Sequence, residues 1–70
     1  MNQRINLGYT ITDSLHIGNT EFVIGYNPNS INSYVVWECL NNSYYFGNYV
    51  KTRIVAEQNL LKRALNALKL

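Results

Sequence analysis

The sequence offers a single cysteine, Cys39, and a single histidine, His16. One cysteine forms no intramolecular disulfide, so nothing covalent staples the chain, and this usage fits a reducing compartment. Two soft ligands fall short of the four in a structural zinc site, so no metal is expected. Positive charge is sparse as well: from Leu15 to Val50 there is neither lysine nor arginine, and the net charge is only +2. A dedicated nucleic-acid binder concentrates more cations than this. The carboxylates are Asp13, Glu21, Glu38 and Glu57, and no two have a spacing that suggests shared acid–base work. Gly18, Gly25 and Gly47 stand singly, with no phosphate-cradling cluster. No run approaches the ~20 apolar residues of a membrane span, and Met1-Asn2-Gln3-Arg4 lacks the apolar core of a signal peptide. Together these absences predict a cytoplasmic, non-catalytic protein with no cofactor and no membrane partner. The Asn41-Asn42-Ser43 glycosylation sequon would then be idle.

What is present is one domain of 70 residues, 1–70. A chain of this size buries only about 60% of the surface its unfolded form exposes. With disulfide and metal both unavailable as staples, oligomerisation is the remaining common reinforcement.

Arg4 to Thr12 alternates with period two, placing Ile5, Leu7, Tyr9 and Ile11 on one face. This is the pattern of a half-buried strand, and Asp13-Ser14 supplies turn chemistry to end it. Gly18-Asn19 lies between Leu15-His16-Ile17 and Thr20 to Tyr26, a tight hairpin signal. Asn27-Pro28-Asn29-Ser30, extended through Asn32, reads as a loop. Ser33 to Leu40 is the richest strand segment, and Asn41-Asn42-Ser43 turns it into a last strand, Tyr44 to Tyr49. Lys51 to Leu70 reads as a helix capped by Thr52. Glu57 in an early turn and Lys69 in the last turn suit the helix dipole. The expected fold is α+β: an antiparallel meander of three to four strands with one C-terminal helix across one face. Its core would join Phe22, Val35, Trp37 and Cys39 to Ala56, Leu60 and Ala64, with Trp37 against the small helix residues.

The helix is too apolar for one packing partner. At ~100° per residue, Ala56, Leu60, Ala64 and Ala67 form one stripe, and Ile54, Leu61, Leu65 and Leu68 form a second beside it. Together they span roughly 180°, against the ~100° that one core requires. The second stripe is covered either by another protein, most simply a second copy in a homodimer, or by the first strand of the same chain.

The run Ile17-Gly18-Asn19-Thr20-Glu21-Phe22-Val23-Ile24-Gly25, then Asn27-Pro28, then Tyr34-Val35-Val36-Trp37-Glu38-Cys39 carries a resemblance. So does Tyr44-Tyr45-Phe46-Gly47-Asn48-Tyr49 leading to Ala56, Leu60 and Arg63-Ala64. The chain is similar there to short proteins of phages and conjugative elements of Gram-positive bacteria. The resemblance implies a mobile-element setting and no particular activity. In architecture, the strands followed by a helix also resemble the DNA-binding domains of plant ethylene-response factors and the arm-site domains of integrases. Those read the major groove with Arg, Lys and Trp on the sheet; here the strands from Leu15 to Val50 carry no cation to make the phosphate contacts that dominate DNA affinity.

Two functions follow. The first is a non-catalytic accessory protein that binds a partner protein, in its concrete form inhibiting a host defence or replication factor. Its surface would use Tyr34 and Glu38 on the exposed sheet face, Tyr44 and Tyr45, which the alternation forbids to be buried together, and Leu61, Leu65 and Leu68 on the helix. Exposed tyrosines offer large contact area with little entropy to lose. The second is a small DNA-binding regulator using Arg4, Lys51, Arg53, Lys62 and Arg63. Beside these stand the bland readings: a solvated basic helix face, half of the aromatics as core, His16 at the surface, and Cys39 as a buried, inert thiol.

Overall fold

Three of the four reversals between strands use residues in left-handed backbone. The computed structural model describes residues 3–69. Strands β1 (Ile5–Asn6), β2 (Tyr9–Ile17), β3 (Thr20–Tyr26), β4 (Tyr34–Leu40) and β5 (Ser43–Val50) precede helix α1 (Arg53–Ala67). Asn41 and Asn42 both have positive φ, 53° and 66°, the signature of a two-residue type I′ hairpin, and asparagine tolerates it best after glycine. Gly18, at φ 59°, opens the β2–β3 hairpin, where Ile17 pairs with Thr20. The β3–β4 loop is closed by Asn27 N–H donating to Ser33 O at 2.8 Å. Within it, Asn29 N–H donates to Asn27 Oδ1 at 2.9 Å, the Asx turn expected of Asn-Pro-Asn.

The sheet has five antiparallel strands in the order β1-β2-β3-β4-β5 and curls into a half-barrel. This exceeds the three to four strands expected, because the first period-two run is two strands. It folds back at Leu7-Gly8, where both residues have positive φ (51° and 83°), a turn that leucine does not announce. Asp13-Ser14, which does look like a turn, stays inside β2, where the register to β3 slips between Ile11 and Asp13. A second bulge sets Phe46-Gly47 opposite Trp37. Bulges bend and twist a strand, and these two lie in β2 and β5, on either side of the β3–β4 pair.

Curling gives the sheet two separate cores. On the convex side, Phe22, Ile24 and Val36 pack under Ala56, Leu60 and Ala64 of α1, with Leu15, Ile17, Tyr34 and Val50 at the margin. On the concave side, Tyr9, Val23, Val35 and Trp37 pack together, with Ile11 and Tyr44 beside them. The expectation that Trp37, Val35 and Cys39 face the helix is therefore corrected. Val36, not its neighbours, points at α1, and Trp37 is surrounded by the rings of Tyr9, Tyr44 and Tyr49 at 5.9, 5.3 and 6.1 Å. Phe22 does meet Ala56, Leu60 and Ala64 as expected. Two glycines make room for the indole. A Cβ on Gly47 would stand 2.7 Å from Trp37 Nε1, and one on Gly25 would stand 2.9 Å from both Tyr9 Cβ and Val35 Cγ1.

The helix is shorter than Lys51 to Leu70. Thr52 caps it as expected, Oγ1 accepting from Val55 N–H at 3.4 Å. It ends at Ala67, with Leu68 N–H bonded to Ala64 O. Glu57 therefore lies beyond the first turn and Lys69 beyond the last, so neither fills the dipole role expected of it. Ala67 is exposed at the end of its stripe, and Leu70 lies outside the described residues.

Candidate interaction surfaces

The second helix stripe is open to solvent. Ile54, Leu61, Leu65 and Leu68 are 65, 56, 68 and 49% exposed. The reading in which the first strand covers this stripe is thus corrected: that segment turns back at Leu7-Gly8 and pairs along β2. Two ion pairs orient the helix. Arg53 Nη2 stands 2.8 Å from Asp13 Oδ2 on β2, and Arg63 Nη1 stands 3.8 Å from Glu38 Oε2 on β4. Counting ~100° per residue, the Ile/Leu stripe continues beyond Arg53, on the flank of α1 toward β2. Lys62, about 200° around from Leu60, points away from the sheet.

The other expected contact residues do not form one surface. Tyr34 was expected to face away from the helix; it packs at the margin of the helix-side core and stacks at 5.0 Å on Tyr26. Glu38 was expected on the exposed sheet face; it lies on the helix side. With Phe22, Arg63, Asn66 and Ala67 it lines a shallow pocket. Both corrections share one cause, the inverted phase of β4. Tyr44 lies on the concave side against Trp37, and Tyr45, on the other face, is exposed beside Phe46. As the alternation requires, the two tyrosines point apart. Phe46 escaped notice in the sequence; at φ 56° the bulge turns it out into solvent.

The arginines expected to serve nucleic acid are engaged with acids. Arg53 holds Asp13 and also donates from Nε to Glu57 Oε2 at 3.0 Å. Arg63 lies against Glu38, while Lys51 and Lys62 are exposed. Arg4 is the most heavily bonded. Its Nη1 and Nη2 donate to the two oxygens of Glu21 at 2.8 and 3.0 Å, a bidentate pair. Its Nε and Nη2 donate to the Tyr44 hydroxyl at 3.1 and 3.0 Å, and Nη2 lies 3.7 Å from Cys39 Sγ. Ser14 donates its hydroxyl to the same Glu21 carboxylate. Residues separated by 17 and by 40 positions meet here because the sheet curls β1 toward β5, a closure that no local pattern encodes.

These contacts shift the charged groups. The hydrogen bonds from Arg4, against the opposing cost of burial, hold the Glu21 carboxyl down at about 2. Burial works against the charge of Asp13, but hydrogen bonds from Thr12 and Arg53 still leave its carboxyl below the ordinary value. Burial, with the nearby Glu21 charge, pushes the Cys39 thiol up, which keeps it protonated near neutral pH.

A carboxyl titrating lower when folded contributes stability above its unfolded value, near 4.5, and loses it as pH falls toward 2. The urea midpoint should therefore drop between pH 5 and pH 2. In Glu21→Gln the drop should be smaller by on the order of 1–2 kcal/mol, since screening at the exposed Arg4 end reduces the full linkage. An identical pH profile in the two proteins would show that the pair contributes nothing.

Among the described residues, no group of three or more His, Cys, Asp or Glu side chains could hold a metal ion, and no helix is long and apolar enough to cross a membrane. No family model, curated protein or solved structure matches the chain.

Proposed function

We propose that this is a non-catalytic accessory protein that works by binding other protein, and that α1 carries the contact through Ile54, Leu61, Leu65 and Leu68. The observation that supports it is the exposure of four large aliphatic side chains in one stripe of an otherwise well-packed helix. Scattered exposed leucines need no explanation, but an aligned stripe marks an interface. The i, i+7, i+11, i+14 recurrence is a seam that pairs with its own copy around a two-fold axis, giving a homodimer. Tyr45 and Phe46, at the β5 bulge and away from the stripe, would remain free for a second protein. The mobile-element setting implied by the resemblance makes that second protein a host factor, whose inhibition is the concrete form of the reading.

Dilution tests the self-pairing. In backbone amide spectra recorded from about 1 mM to about 20 µM, resonances of the stripe residues should move together with one dissociation constant. Spectra independent of concentration would overturn it. The alternative, a DNA-binding regulator, has less in its favour, because Arg4, Arg53 and Arg63 face Glu21, Asp13 and Glu38. It would require duplex binding whose affinity falls with salt at a slope of about −0.9 per phosphate neutralised.

A further inference from the structure

β1 is weakly attached by every measure except one side chain. It pairs with β2 at only two positions, Ile5 with Thr10 and Asn6 with Tyr9, extended by Ile11 N–H donating to Arg4 O at 2.8 Å. It buries no large apolar group, since Ile5 is 64% and the adjoining Leu7 74% exposed. The turn joining it to β2 places Leu7 at φ 51°, where a Cβ-bearing residue is strained and where asparagine before glycine is preferred. Segments with few buried contacts and strained turns open locally, without global unfolding.

Against this stands Arg4. Its guanidinium reaches from just before β1 across the open side of the half-barrel to Glu21 on β3, Tyr44 on β5 and Cys39 on β4, and lies over the Tyr44 ring at 5.6 Å. Cys39 is buried beneath it.

We propose that β1 is a strap, latched by Arg4 onto Glu21 and Tyr44, whose local release uncovers the Cys39 thiol and the Tyr9–Ile11 edge of β2. The latch is polar and partly exposed, while the strained Leu7-Gly8 turn favours release, so opening is a native-state event rather than a step in unfolding.

The rate at which a chromogenic aromatic disulfide modifies Cys39 in the intact protein reports the opening. In the wild type this rate should stay flat through low urea, because a local opening exposes little new surface. Arg4→Gln and Glu21→Gln should each raise it by at least about tenfold, the effect of losing charge-assisted hydrogen bonds. Leu7→Asn, which suits the turn, should lower it by about fivefold. The Leu7 variant leaves both cores untouched, so it decides the matter even if the Arg4 variant fails to fold. A wild-type rate that climbs with urea in step with global unfolding would overturn the strap, as would latch variants, or Leu7→Asn, reacting at the wild-type rate.

Discussion

Replacing Trp37 with alanine should cost about 3–5 kcal/mol of stability, by analogy with other buried aromatic truncations. Domains this small hold about 0.05–0.15 kcal/mol per residue in total, so the variant should be largely unfolded or melt far below the wild type. The indole is 3% exposed and fills the concave core between Tyr9, Tyr44 and Tyr49. The indole lies close over Gly25 and Gly47, where an added Cβ would stand 3.2 and 2.7 Å from it, so its removal leaves a large space beside side-chain-free backbone. Urea denaturation followed by far-UV circular dichroism measures the loss, and an unchanged midpoint would contradict the placement. A milder pair tests which face the indole occupies. Trp37→Phe and Leu60→Val lie in different cores, on opposite faces of the sheet. Their destabilisations should add within about 0.5 kcal/mol, whereas residues in one packed cluster couple by about 0.5–3 kcal/mol.

That opposite-face arrangement is where the sequence was least legible. β3 and β4 carry apolar residues at consecutive positions, Phe22-Val23-Ile24 and Val35-Val36-Trp37, and both phases are buried. Period two identifies a face only when the other face is polar. With both faces apolar, size is the remaining guide; it puts Trp37 against the helix and inverts the phase of Tyr34, Val35, Glu38 and Cys39. The turns were legible where their chemistry is specific, at Gly18-Asn19, Asn27-Pro28 and Asn41-Asn42. Local chemistry misleads where Leu7 takes a left-handed turn and Asp13-Ser14 sits in a strand. The inner face of the helix was legible, since Thr52, Ala56, Leu60 and Ala64 have the roles their spacing suggests and the second stripe is left over, while its ends and the placing of Glu57 and Lys69 were not. The Arg4–Glu21–Tyr44 cluster could not be seen in advance, since three distant segments meet only when the sheet curls.

The second large effect concerns assembly. Leu61→Glu with Leu65→Glu places charge in the middle of the exposed stripe. Both side chains point into solvent in the single chain, so the double variant should keep its fold and melt within about 1 kcal/mol of the wild type. In a two-fold dimer, four leucines are lost from the contact. At about 1.5–3 kcal/mol each before association costs, their removal weakens pairing by at least about a thousandfold. Sedimentation equilibrium of the wild type beside this variant, from about 10 to about 500 µM, is the most direct measurement. A wild-type mass rising toward twice the monomer, with the folded variant remaining at the monomer mass, is the expected result. A wild type that stays monomeric throughout, or a variant that still dimerises, would contradict the assignment of the helix stripe as the self-pairing surface.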